Sequence, residues 1–414
     1  MQPSIDNSKE PGERLRPAPA QDEQTGDKVQ LRPVRPEDAE RIHQLLFSML
    51  PDVPCDRTRW LARWRWQYWD NPFRLNRPAG WVLARGRKIV GHLGAVHVPL
   101  RIGQDRCTGM IGADYAVSAE GIQRGGAFAG LQLAQALFKE SSDHIVLATT
   151  ANEQTNAVFA RFGCHPVEWT REFWRAPATT TQMLRTCRGS SNRVVRRLLS
   201  GVSGSALAGL LGYGCAILRH QPAIPIQRGH RLEISRPCSP CPLGLLYGQL
   251  IGQHMRPTDN QMCAGLWPAY CGIDRSQDYL DWRYVRNPEG ENIRCLSVSD
   301  SSGQLLGCAI VFLDMHGPRR IAVVEEVIVR PDRAEVWRTV FCAALRLAWA
   351  HGMDYLVATT GRDSLRGLFW ELGFQSRARN APAALIMKTP ECRPSKALRE
   401  PLGEHFEFSH GDMF

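Results

Sequence analysis

Apolar residues acquire a regular spacing at Val29-Gln-Leu-Arg-Pro-Val34, which reads as a short strand. Residues 1–27 are rich in Gln, Pro, Glu, Ser and Asp and carry no apolar core. They have the pattern of neither a signal peptide nor a transit peptide and read as a disordered tail. After the strand, Pro36, Glu37 and Asp38 open a helix that carries Ile42, Leu45, Leu46 and Met49. An aromatic run from Trp60 to Trp69 closes in Trp66-Gln-Tyr-Trp-Asp-Asn-Pro72. Trp81-Val-Leu-Ala and Lys88-Ile-Val-Gly-His-Leu-Gly-Ala-Val-His-Val form a hairpin pattern around Arg85-Gly86-Arg87. Next, Asp114 to Val117 read as a strand that Gly121 breaks. Gln123-Arg-Gly-Gly-Ala-Phe128 then forms a glycine-bearing turn. Leu131, Ala134, Leu137 and Phe138 follow at helical spacing. A strand Ile145-Val-Leu-Ala-Thr-Thr150 comes next, then a short helix from Asn152 to Phe162 stopped by Gly163.

The pattern then repeats. Trp66-Gln-Tyr-Trp-Asp-Asn-Pro72 returns as Trp282-Arg-Tyr-Val-Arg-Asn-Pro288, 216 positions on. Gly91 returns at the same offset as Gly307, and Gly163 returns 210 positions on as Gly373. Two copies of one domain follow, 28–177 and 230–390, with a connector at 178–229 and a polar tail at 391–414. The six-residue shortening lies between Gly307 and Gly373, an interval that contains the counterpart of the glycine turn. In the second copy Val323-Val-Glu-Glu-Val-Ile-Val-Arg330 runs into Pro331-Asp-Arg-Ala-Glu-Val-Trp337, with no glycine between Gly317 and Gly352. One copy is therefore expected to bind an anion, and the other to be a structural or substrate-shaping partner.

Length and charge narrow the classes. The 414 residues exceed one ordinary core. Lys and Arg outnumber Asp and Glu 51 to 41, so the surface favours an anionic partner. No basic block is interleaved with aromatics, which weighs against nucleic acid. Thirteen scattered cysteines suggest reduced thiols of a cytoplasmic protein. Cys238-Ser-Pro-Cys241 is the sole CxxC; with His220 and His230 upstream a zinc site is conceivable, but the spacing argues for no metal. The connector has Arg193, Arg196 and Arg197, then an uncharged stretch from Leu198 to Leu218 interrupted by glycines and serines. That stretch is read as a glycine-rich helical hairpin, and it leaves peripheral membrane contact open.

A bare turn feeding a helix offers unpaired N–H groups and the positive end of a dipole, which suits a phosphate. A side chain at Gly125 or Gly126 would hold a pyrophosphate off the backbone. With these residues in hand, the first copy resembles the GNAT superfamily of acyl-CoA-dependent N-acyltransferases. The family's strand is followed by [Gln/Arg]-x-x-Gly-x-[Gly/Ala], and Gln123-Arg-Gly-Gly126-Ala-Phe128 matches all but the last position. The later strand and Asn-bearing helix resemble Ile145 to Cys164, and the repeat carries the likeness to about three quarters of the chain.

The resemblance implies an α/β (α+β) architecture of two GNAT-like domains. Each would be a mixed, mostly antiparallel twisted sheet flanked by helices and splayed where the co-substrate wedges in. It implies acetyl-CoA, or another acyl-CoA, held by the backbone of Gln123, Arg124, Gly125, Gly126, Ala127 and Phe128. The strand edge at Ala116 and Val117 would pair with pantetheine amides, and Asn156 would reach the pantetheine arm. The acceptor would be an amine on a small molecule or sugar precursor, with a weak association to surface-polysaccharide metabolism.

Acyl transfer needs a neutral amine and a protonated leaving thiolate. Asp114 is the candidate base; the bland alternative is a strand carboxylate tied to an Arg. The family's usual tyrosine acid is Phe159 here, and Phe369 in the second copy, so Tyr115, Cys164 or water would supply the proton. His92, His97, His144 and His165 are further titratable groups. Trp60, Trp64, Trp66, Tyr68 and Trp69 are expected in the core rather than in an acceptor cleft. Two rivals remain open: a non-catalytic acyl-CoA-binding or scaffold protein, and an aminoacyl transfer protein on a related tandem fold. Oligomeric state is not legible in the sequence.

Overall fold

The computed structural model describes residues 28–50, 53–102, 105–126, 128–140, 144–148, 153–166, 172–177, 226–254, 271–315, 320–330, 333–360, 363–376, 386–388 and 406–407. The expected N-terminal tail, the Leu198–Leu218 stretch and nearly all of the C-terminal tail lie outside them, as does His220. In the first copy, β1 (Gln30–Pro33) leads to α1 (Ala39–Met49) and α2 (Arg57–Trp64). The strands β2 (Gly80–Arg85), β3 (Lys88–Ile102) and β4 (Asp105–Val117) follow as an antiparallel meander. Then come α3 (Ala119–Gly125), α4 (Ala129–Glu140), β5 (Ile145–Ala148), α5 (Glu153–Ala160), β6 (His165–Pro166) and β7 (Glu172–Pro177). α1 turns Ile42, Leu45 and Leu46 inward, and its entry is pinned by a two-pronged Arg32–Asp38 pair at 2.6 and 2.8 Å.

The second copy repeats the order. It runs β8 (Arg231–Ser235), α6 (Pro242–His254), β9 (Cys271–Ile273), α7 (Gln277–Leu280), β10 (Ile293–Ser299), β11 (Leu305–Asp314) and β12 (Ile321–Val329). It continues with α8 (Ala334–Ala350), β13 (Tyr355–Thr360), α9 (Asp363–Glu371), β14 (Gln375–Ser376) and β15 (Ile386–Lys388), and β16 (Phe406–Glu407) follows in the C-terminal tail. Two mixed, mostly antiparallel sheets flanked by helices result, as the resemblance implied.

Each copy lends its last strand to the other sheet. β7 lies between β13 and β14, and β15 lies between β5 and β6. β9 also crosses over, pairing Leu100, Arg101 and Ile102 with Ile273, Gly272 and Cys271 at the far end of β3. Buried side chains form one central core shared by both copies and an outer core under the helices of each.

The repeated aromatic segment explains itself in three dimensions. Arg65–Trp69 and Asp281–Val285 are π-helical turns, closed by Asp70 N–H to the Arg65 carbonyl and Arg286 N–H to the Asp281 carbonyl, both at 2.8 Å. Asn71 donates its amide to the Gln67 carbonyl and Asn287 to that of Arg283; each side-chain oxygen then accepts a backbone N–H two residues on. Trp66 and Trp282 stack at 5.1 Å, and each indole N–H donates to the other's carbonyl, at 2.9 and 3.3 Å. A local twofold axis passes between them. Trp60, Trp64 and Tyr68 are buried core residues and Trp69 packs against them, as expected.

Candidate functional site

In both copies the sheet splays at its parallel pair. Among the described residues β4 pairs with β5 only from Gly109↔Ile145 to Ile111↔Leu147, and β12 with β13 only from Ile321↔Tyr355 to Val323↔Val357. Beyond those points β4 and β12 stay paired on their other edges, with β3 and β11. Among the described residues, the edge of β4 that carries Ala116 and Val117 faces the splay without a ladder partner. Ala116 is buried and Val117 half-buried.

A bulge interrupts β4 inside the splay. The pairing steps from Gly94↔Ala113 to His92↔Ala116, so Asp114 and Tyr115 oppose Leu93 alone. Asp114 takes φ +52, a left-handed conformation that Asp and Asn tolerate better than most residues. Its half-buried carboxylate accepts a hydrogen bond from the Tyr68 hydroxyl at 2.7 Å, and its carbonyl accepts from His92 Nδ1 at 2.9 Å. Burial, with Asp114 alongside, pushes the Tyr68 hydroxyl well above its ordinary range, so it remains a donor. Gly94 admits this ring, since a Cβ there would stand 2.4 Å from the Tyr68 hydroxyl. Burial likewise holds the His92 imidazole below its usual value and neutral. Among the described residues no Arg pairs with Asp114, unlike the bland alternative. Sequence reasoning placed Tyr68 in the core and missed this role; its counterpart Tyr284 donates to Glu326 at 3.2 Å beside the bulge of β12.

Tyr115 leans onto α4, where a Cβ at Gly130 would meet its hydroxyl at 2.4 Å, and onto Phe159 with ring centroids 6.3 Å apart. Burial pushes its hydroxyl up to about 12, which keeps it protonated at neutral pH. Phe159 is 1% exposed and packs on Phe138 as a core residue; Phe369 is equally enclosed, against Phe341 and Phe374. Cys164, His97 and His144 are also buried.

The glycine turn is shorter than the periodicity suggested. The Ser118 side chain accepts from Gly121 N–H at 3.1 Å and caps α3, which absorbs Gly121, Gln123, Arg124 and Gly125. Gly121 suits that helix because its face lies against β3, where a Cβ would meet the Val90 carbonyl at 2.6 Å. The N–H groups of Gln123, Arg124 and Gly125 therefore point back along α3. Outward-facing backbone begins at Gly126, φ +78, where no heavy atom lies within 4 Å of the position a Cβ would take. Phe128 is exposed, and α4 starts at Ala129, whose N–H donates to the Gly126 carbonyl at 3.0 Å. Ala127 lies outside the described residues. Asn156 lies on α5, and its side chain also falls outside the description, as does that of His165.

Most of the six-residue shortening lies early in the interval from Gly307 to Gly373, before the counterpart of the glycine turn. His92 and Cys308 are 216 positions apart, whereas their partners Ala116 and Ile328 are 212 apart. Four of the six residues are thus lost from the β11–β12 hairpin; the longer β3–β4 hairpin is the one that docks β9. The second copy runs from β12 into one seventeen-residue helix, α8, where the first has α3 and α4.

Eight of the described cysteines form no disulfide; of these Cys241 is buried and Cys238 exposed. Among the described residues no group of three His, Cys, Asp or Glu side chains converges on a metal position, and no helix is long and apolar enough to cross a membrane.

No protein-family model matches the chain, and no curated protein does. Solved structures do. A GCN5-related N-acetyltransferase from Anabaena variabilis aligns at 13% identity and TM-score 0.52, over 87% of this chain and 72% of that one. A tandem GNAT protein from the clavulanic acid biosynthesis pathway aligns at 15% identity and TM-score 0.50, over 87% and 97%. Saccharomyces cerevisiae N-myristoyltransferase, solved with myristoyl-CoA bound, aligns at 10% identity and TM-score 0.51, over 87% and 71%. The chain has the GNAT fold.

Proposed function

From a GNAT fold with two splayed sheets, we propose that this protein is an acyltransferase that carries acyl-CoA, foremost acetyl-CoA, in the splay of its first copy. The acceptor is an amine of a small molecule or sugar precursor. The observation that carries this reading is the pairing of a ladder-free β4 edge, past Ile111, with an open backbone turn at Gly126 leading into α4. The edge suits the amides of a pantetheine arm, and the turn suits a pyrophosphate.

In the proposed reaction the amine attacks the thioester carbonyl, a C–N bond forms and the C–S bond breaks. Asp114 takes the amine's proton, directly or through water, and Tyr115 returns one to the departing thiolate. Gly126 and the start of α4, with Ala127 and Phe128, hold the pyrophosphate; Gln123, Arg124 and Gly125 frame that turn from α3. Ala116 and Val117 pair with the arm, and Asn156 reaches it. The second copy closes the acceptor side. We assign the protein to the cytoplasm, on its many scattered cysteines, eight of which form no disulfide, and no metal enters the scheme.

Calorimetric titration of acetyl-CoA tests the reading. Wild type is expected to bind at micromolar concentration and Gly126→Asp to lose binding, since it adds a side chain and a negative charge at the turn. Absence of binding to wild type overturns it. The enclosure of Phe159 and Phe369 favours one alternative, a non-catalytic acyl-CoA-binding protein. Turnover of acetyl-CoA with an amine panel, reduced in Tyr115→Phe, excludes that alternative.

A further inference from the structure

The two copies answer one question differently: what sits against the carboxylate of the bulge. Asp114 and Glu326 stand at the same step beyond the last paired residue of the splay, Ile111 in one copy and Val323 in the other. Each accepts a hydrogen bond from the tyrosine of the repeated segment, Tyr68 at 2.7 Å and Tyr284 at 3.2 Å. In the second copy the remaining carboxylate oxygen is taken by a cation from the chain itself. Arg275 Nε donates to Glu326 Oε2 at 2.6 Å, and its Nη1 donates to the Ile273 carbonyl at 2.9 Å. Both members of that pair are almost wholly buried, at 4% and 1% exposure.

In the first copy no residue of the described chain fills that position. The repeat's offset puts Arg59 where Arg275 stands, but Arg59 turns away to Glu289, at 3.2 and 2.6 Å. Aspartate is also one methylene shorter than glutamate, which draws the carboxylate back toward its strand and leaves space ahead of it. Asp114 is half-buried. A partly desolvated carboxylate with one neutral donor retains unused lone pairs that favour a positive charge.

We propose that Asp114, oriented by Tyr68, seats the acceptor amine in its cationic alkylammonium form, ahead of taking its proton, in the position that the Arg275 guanidinium occupies in the second copy. The second copy is then a site filled by its own side chain, and the first presents the same carboxylate to a cation from outside. The proposal rests on reading the first splay as the working site, yet its test requires no acyl transfer.

The probe is n-propylguanidinium, the Arg275 side chain as a free molecule, with n-propylurea as its neutral counterpart of similar shape. Both are titrated into the full chain and followed by saturation-transfer NMR, with acetyl-CoA titrated in parallel. Propylguanidinium is expected to bind wild type at least tenfold more tightly than propylurea. Asp114→Asn should erase that preference; Asn is at home at φ +52 and can keep the Tyr68 hydrogen bond, so the fold is retained. Equal binding of the two probes to wild type overturns the proposal, and that comparison involves no substitution. An undiminished preference in Asp114→Asn overturns it as well. If acetyl-CoA binds while the preference is absent, the cation seat fails and the acyltransferase reading stands. If the preference is present without acetyl-CoA binding, the cation seat is supported and the acyltransferase reading fails.

Discussion

His97 has no solvent contact, and its Nε2 lies 3.1 Å from the Pro78 carbonyl, which can only accept. The proton therefore sits on Nε2, leaving Nδ1 buried and unpartnered, and burial lowers the imidazole from 6.5 to about 4. A depressed histidine contributes stability that is fully present above its unfolded value and lost as pH falls from 6.5 toward 4. Between pH 7 and pH 5 this group alone should lower unfolding free energy by about 2 kcal/mol. Urea titrations at the two pH values, on wild type and His97→Gln, check this; an equal drop in both would assign the acid sensitivity elsewhere. None of this is visible in the sequence, where His97 is one histidine among several. Asp114 can be singled out because a carboxylate in an apolar strand breaks the pattern around it. Its partner cannot be, because Tyr68 looks like another member of an aromatic run, and only the bulge at Asp114 brings that hydroxyl to the acid.

At the scale of elements, strand and helix order is legible because apolar periodicity survives without tertiary information. The exceptions are instructive. The sequence reads α3 as a turn because Gly121 breaks the strand and glycines follow; the structure uses that glycine for close packing on β3 and starts the helix with the Ser118 cap. The exchange of β7 and β15 is not legible, because a strand's pattern says which face is buried and not which sheet accepts it. Both exchanged strands are interior, so each ladder has two sides to lose. Met387→Pro, in the middle of β15 between Leu147 and His165, removes an N–H where a ladder bond is needed. It should destabilise the full chain by about 3 kcal/mol or more, read as a lower urea midpoint. An unchanged midpoint would mean that β15 does not join this sheet in solution.

At the scale of the molecule, the two copies meet through Trp66 and Trp282, each donating its indole N–H to the other's carbonyl. Their reciprocity predicts a coupling of about 1–3 kcal/mol in a double-mutant cycle of Trp66→Phe and Trp282→Phe. Additive losses would reduce the pair to independent core residues. The sequence by itself determined that there are two copies, that both are mixed α and β, and that the glycine turn belongs to only one of them. Those features reside in local patterns and in self-similarity, which a chain carries without folding. Only the tertiary structure decided that the copies trade their last strands, that the acid of each bulge meets the tyrosine of its own repeat, and that Arg275 answers Glu326 while Arg59 turns away from Asp114. Such pairings join residues as far apart as Val146 and Lys388, 242 positions. They depend on the direction in which a bulge or a π-turn aims a side chain, and no periodicity in the chain encodes that direction.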